Sequence, residues 1–235
     1  MEKPDAHTLI KQFREVYPIL IETQMLLDAP RMGNPPPESL LRVALLAEIG
    51  EMLNALKPRW AWWKRRDKTF EEGDVLGELA DIMHFALGLD VRVLHSIYAE
   101  AAVGHGKHPV TLSGFTFAHA KPHIGLLLDH YADEGPARRL LDSAIGEYEA
   151  CLDGLDEGPC DIVAELLYRG WFTFDTAPYM RLHSYRTYVE MIVMAGFSVE
   201  RLVDAYFNKA RENMGRWERD PKQVDEVLRR GAGHE

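Results

Sequence analysis

Only two cysteines, Cys151 and Cys160, occur in the 235 residues, and their separation matches neither a Cys-x-x-Cys metal knuckle nor a redox pair. This argues against a disulfide framework or a thiolate metal site, and both thiols read as reduced and structural. Positive charge is scarce as well: 27 Lys and Arg against 37 Asp and Glu give a formal net charge of -10. Such a surface is not built to grip a nucleic-acid polymer, which is held nonspecifically by neutralising its phosphates, but it is compatible with a small phosphorylated ligand bound through a cation. No apolar run approaches the 18 or so residues of a bilayer span, and the first residues, 1–9, are polar with no apolar stretch of signal-peptide length. A cytoplasmic protein with no membrane partner is expected. Low-complexity segments and fixed-period repeats are also missing, and no spacer divides the chain, so one domain over residues 1–235 is expected.

What the chain does have is a doubled arrangement of acids, Glu48-Ile49-Gly50-Glu51 and Glu78-Leu79-Ala80-Asp81. Three residues along an α-helix advance about 300° and roughly 4.5 Å, so each pair projects from one face. Leu45, Ile49, Met52, Leu53 and Leu56 form an apolar stripe of helical period beside the first pair, and Val75, Leu79, Ile82, Met83 and Ala86 do so beside the second. A single Glu-x-x-Glu is common on solvated helix faces; two pairs on facing helices are rarer. Four carboxylates meeting beside a core repel one another, and a hard divalent cation relieves the repulsion. Magnesium, with manganese as a substitute, takes oxygen ligands and binds phosphates alongside a few protein carboxylates. The pattern therefore points to a metal site for phosphate chemistry.

The remaining elements are predicted in order. A helix over about 5–29 carries Leu9, Phe13, Val16, Leu20, Gln24 and Leu27 on one side, with Pro18 inside it, and Gln24 is the polar exception on that stripe. Gln24 fits either a satisfied core amide or a group that reads a nucleobase edge. The first acidic helix is expected over about 38–57, stopped by Pro58, and the second over about 72–100. Between them, Trp60, Trp62 and Trp63 with Lys64 and its neighbouring arginines read equally as a wall for a base with cations for a polyphosphate, or as core anchors in a solvated turn. Residues 103–120 look like a loop rich in Gly and His; His105 with His108, and His119 with His123 just beyond it, have spacings a zinc site could use, but with no cysteine near they are read as solvated. Further helices are predicted over about 122–195, each begun by a proline where one is available, at Pro122, Pro136 and Pro159. Ser198 caps a last core helix to about residue 219, on which Tyr206, Lys209, Asn213 and Arg216 fall on one stripe suited to the oxygens of a polyphosphate. A short charged helix follows Pro221.

Together these residues resemble the dimeric, all-α dUTPases, relatives of the MazG-like nucleoside triphosphate pyrophosphatases. The matching elements are Glu48-x-x-Glu51, Trp60-x-x-Trp63-Lys64, Glu78-x-x-Asp81-x-x-His84-Phe85 and Tyr206-x-x-Lys209-x-x-x-Asn213-x-x-Arg216. The resemblance implies an all-α bundle around a four-helix metal-binding core and a homodimer. It implies that Glu48, Glu51, Glu78 and Asp81 hold magnesium, with one of the first pair helping to activate water. By the same resemblance Lys64, Lys209, Arg216 and Tyr206 bind phosphate, and Gln24, Trp60, Trp63, His84, Phe85 and Asn213 bind base and sugar. The implied reaction is hydrolysis of dUTP to the monophosphate and pyrophosphate. Two positions depart from the family pattern: Leu27 stands where an Asn is usual, and Ala210 follows Lys209 where an Asn is usual. The Gly-Tyr segment that usually follows the late Arg is also absent after Arg216. Lost amides bear on base choice more than on hydrolysis, which leaves a pyrophosphatase for another deoxynucleotide, such as dCTP, as an alternative. Rival classes are a di-iron bundle oxidoreductase, for which Asp81-x-x-His84 supplies half a ligand motif, and a non-catalytic nucleotide-binding protein.

Overall fold

The computed structural model describes residues 6–29, 35–55, 72–133, 198–217 and 220–231. The Trp60, Trp63 and Lys64 segment, both cysteines and the helices expected between residues 136 and 195 lie outside the described residues.

Among those residues there are six α-helices and no strand: α1 (Ala6–Asp28), α2 (Glu38–Ala55), α3 (Glu72–Gly104), α4 (Phe117–Asp133), α5 (Val199–Arg216) and α6 (Lys222–Gly231). The all-α expectation holds. Helix α3 is the axis of the assembly, because its apolar residues leave few solvated faces: Val75, Leu79, Ile82, Met83, Ala86, Leu87, Leu89, Val91 and Leu94 are all buried. Helices α1, α2, α4 and α5 all pack on it. The core is completed by Phe13, Tyr17, Leu20 and Ile21 of α1, Leu45 and Met52 of α2, and Leu202, Tyr206 and Met214 of α5. Deep in it, the Tyr17 hydroxyl donates to Asp90 at 3.0 Å across 73 residues of sequence, tying α1 to α3.

Pro18 sits inside an unbroken α1. Ser198 caps α5 as expected, its hydroxyl accepting from the Arg201 N–H at 3.3 Å. Helix α6 folds back onto α1 and α5, burying Val224 and Val227 and pairing Arg230 with Glu22 at 2.9 Å and Arg211 with Asp225 at 2.8 Å.

Two expectations about residues 103–120 need correction. Helix α3 runs on to Gly104 and ends in a left-handed turn: Gly106 has φ 68°, its N–H bonds to Val103 and the Lys107 N–H to Ala102, the paired closure that only a residue without Cβ adopts cheaply. Helix α4 then begins at Phe117, before Pro122. The cause is a cap at Thr116, where the His119 Nδ1 accepts from the Thr116 N–H at 3.1 Å and lies 2.9 Å from the Thr116 hydroxyl. This is one arm of a capping box, the side chain three residues on reaching back to the cap N–H, with histidine in the place of glutamate. His119 consequently stands on a helix and not in a loop, and its ring and that of His123 lie against Tyr98, so neither is simply solvated; His105 and His108 are exposed as expected.

Candidate active site

The acids of α2 and α3 meet where the two helices pack. Ligand oxygens of Glu48, Glu78 and Asp81 all lie within 4.8 Å of one another. Glu51 is exposed and falls outside this trio, though its charge still reaches Glu48 and Glu78. The Lys209 ammonium of α5 closes the group from the third side, 2.6 Å from the Asp81 Oδ2, with both side chains only about a fifth exposed at 22% and 20%. Three helices distant in sequence thus bring three carboxylates and one ammonium to one spot.

The electrostatics follow from that crowding. Burial is the first cause that pushes the Glu48 carboxyl above its ordinary value, and the charges of Asp81, Glu51 and Glu78 add to it, with Lys209 opposing. Glu78 is raised in the same way, by burial and then by Glu51 and Asp81. A site that resists ionisation of its own acids is one that a cation relieves. The donor set is all oxygen, which suits a hard divalent ion, and an ammonium already stands against it, so the residues present fit magnesium or manganese. No histidine belongs to the trio among the described residues. His84 faces elsewhere, and the half-motif of a di-iron site is not assembled.

One turn along α3 from Asp81, the buried His84 lies 3.0 Å by its Nδ1 from the Gln24 Oε1 of α1. That oxygen only accepts, so the proton is on Nδ1. The Tyr206 hydroxyl of α5 shares its hydrogen between the same Oε1, at 3.2 Å, and the Leu20 carbonyl at 3.3 Å, and its ring packs on His84 with centroids 4.3 Å apart. Gln24 Nε2 in turn donates to Asp28 at 3.1 Å. Burial, helped by Lys209, pushes the His84 imidazole down to about 3, so it is neutral. Its Nε2 is buried with no hydrogen-bond partner among the described residues. Beyond it, the missing side chain at Gly88 leaves room beside Gln24 and Asp28: a Cβ there would lie 3.6 Å from the Asp28 Oδ2 and 3.8 Å from the Gln24 Nε2. A small open recess at this point, with free space of about 30 Å³, is bounded by Asp28, Pro36, Leu41, Gly88, Arg92 and Leu112. Arg92 is fixed at its edge by donating to the Pro36 carbonyl.

The stripe expected on α5 does not form one surface. Tyr206 is fully buried, Lys209 turns to Asp81, Asn213 is half-buried, and Arg216 is exposed at the end of the helix beside Glu212 at 3.5 Å. Tyr206 stands in the core, holding Gln24 and His84, and presents no hydroxyl alongside Arg216. Phe85 is partly buried against the core. The two departures from the family pattern, Leu27 and Ala210, are both buried packing residues. Gly88 and Arg92 are site features that the sequence carried no local signal for; Asp28, which closes the Gln24-Met25-Leu26-Leu27-Asp28 stretch of the family pattern, meets Gln24 one turn away as that spacing allows.

Fold and site together define an all-α protein with a carboxylate seam between two helices. Residues 19–109 match the family model described as dUTPase, a stretch that contains Gln24, both acid pairs, His84 and Gly88, and the all-helical structure fits the dimeric all-α dUTPases. The family is one of nucleoside triphosphate hydrolases. No curated protein and no solved structure matches the chain.

Proposed function

We propose that the chain is a magnesium-dependent pyrophosphatase that hydrolyses dUTP to dUMP and pyrophosphate, working as a cytoplasmic homodimer. The observation that carries the reading is the convergence of Glu48, Glu78 and Asp81 within 4.8 Å inside the matched stretch. Magnesium held by these carboxylates would supply charge neutralisation for the triphosphate oxygens, the main need of phosphoryl chemistry. Glu51, exposed beside the trio, would take the proton from the attacking water. Lys209 and Arg216, with Lys64 outside the described residues, are the cations for the leaving pyrophosphate.

His84 offers the nucleotide an acceptor, since its Nε2 lone pair is buried and unshared; a sugar hydroxyl supplies the donor. Gln24 has its oxygen engaged by His84 and Tyr206, so what it can still offer a base is an N–H beside the Asp28 carboxylate. In this reading the base would lie toward Gly88, seven residues past Asp81 on α3 and about 10 Å along the axis. The Trp60–Trp63 segment, Phe85 and Asn213 complete the base and sugar contacts in this reading.

The test is pyrophosphate release from dUTP, dCTP, dTTP, dATP, dGTP and the ribonucleotides, with magnesium and with EDTA. Release confined to dUTP and abolished by EDTA is expected. Release from dCTP alone would keep the chemistry and move the base preference, and no release from any nucleotide would sink the enzymatic reading.

A further inference from the structure

We propose that Lys209 is the resident counter-cation of the carboxylate trio, displaced when a divalent cation enters and passed to the polyphosphate that arrives with it. The proposal rests on the metal-site reading above and deepens it: cation and polyphosphate binding become coupled through one side chain.

Lys209 Nζ stands 2.6 Å from the Asp81 Oδ2, in the mouth of a group whose three carboxylates lie within 4.8 Å of one another. Magnesium on that oxygen would need a distance of about 2.0–2.1 Å. Two cations on one carboxylate oxygen repel strongly where both are shielded from water, so the ammonium must leave. Only its tip has to move. Helix α5 is held by the buried Tyr206, Ala210 and Met214, and Tyr206 is bonded to α1, so the backbone of Lys209 stays in place while its flexible four-carbon stem swings. The destination is the anion nearest to the site once the carboxylates are neutralised, the triphosphate. By linkage, whatever frees Lys209 for phosphate favours the cation, and a phosphate that accepts the ammonium favours the cation equally.

The test uses the full chain and manganese, titrated by the loss of the free-ion EPR signal, with and without a non-hydrolysable imido analogue of dUTP. Lys209→Met is expected to bind manganese alone at least tenfold more tightly than the wild type, because its competitor is gone, and to lose most of the tightening that the analogue gives the wild type. Equal or weaker manganese binding by a folded Lys209→Met protein overturns the proposal. A second measurement needs no variant to fold: a slowly exchanging lysine ammonium signal in nitrogen-15 NMR of the metal-free wild type should vanish on adding magnesium alone. Its persistence at saturating magnesium would show that the ammonium never leaves, and would also overturn the proposal. If the wild type binds no manganese even with the analogue, and releases no pyrophosphate, the metal site itself has failed; manganese binding indifferent to Lys209 removes only the role given to that residue.

Discussion

Glu48 is where the conflict between folding and chemistry is sharpest. Its carboxyl, raised by burial and three neighbouring acids, is disfavoured as an anion by the fold. A carboxyl raised above its unfolded value contributes stability at pH below the ordinary 4.5, and that contribution is lost as pH rises through the raised value. At neutral pH without metal the fold therefore bears the cost of ionising it. Glu48→Gln should raise the melting temperature in EDTA at pH 7 while reducing pyrophosphate release at least a hundredfold; a lower melting temperature with turnover intact would remove Glu48 from the site. His84 titrates in the opposite sense. Its imidazole falls from 6.5 to about 3 on folding, so its contribution is complete above 6.5 and is lost as the pH falls toward 3. Urea unfolding between pH 7 and 4 should show this loss in the wild type, and a His84→Gln variant should show a shallower one. Gly88 tests the cleft: Gly88→Val should raise the KM for the nucleotide several-fold with manganese affinity unchanged, as read by EPR, because the new methyls enter the space beside Gln24 and Asp28.

Among the helices, α6 shows how a charged segment with a narrow apolar edge earns its place. Val224 and Val227 are its buried contacts, and its Arg230 reaches Glu22 of α1. Val224→Ala should lower unfolding free energy by about 2 kcal/mol, through two lost methyl groups and the space they leave, without changing turnover at saturating nucleotide. A calorimetric or urea measurement decides it. The same scale shows what could be read ahead of the structure. Helices α1 and α3 were legible from their periodic stripes, and α2 and α5 also from ordinary start signals, Pro37 before Glu38 and Ser198 before Val199. The start of α4 was misread because a Thr–His cap carries none of the Glu or Gln signal of a capping box, leaving Pro122 as the visible marker. The end of α3 was read early because Gly104 and Gly106 look alike in sequence, while only the second takes the left-handed conformation. Within the site, the acid pairs were legible as local spacing. That Lys209 belongs to Asp81, that Tyr206 turns inward to Gln24, and that Asp28 and Gly88 share a cleft are facts of packing between helices far apart in sequence.

For the whole molecule, the proposed dimer has a physical correlate in α2. Its Leu40 and Val43 are 56% and 61% exposed while Leu45 and Met52 are buried, so the helix is apolar on more than one face. Helices of that pattern are ordinarily covered on both sides. Sedimentation should find twice the mass of the chain, and Leu40→Glu with Val43→Glu should shift it to a single chain; a wild type that sediments as a monomer at micromolar concentration would rule the dimer out. One feature of the architecture bears on how such a chain varies. Glu78, Asp81, His84 and Gly88 are spaced along a single helix of 33 residues with no break between them. Adding or deleting one residue there would turn everything beyond it by about 100° and shift it by about 1.5 Å, taking the imidazole and the cleft out of line with the acids. The stretch can change its letters but not its length, whereas the turn after Gly104 can absorb both. Insertions and deletions among true relatives should therefore fall outside residues 78–88, and a variant lengthened by one alanine after Ala80 should lose nucleotide binding even where it keeps its helix content.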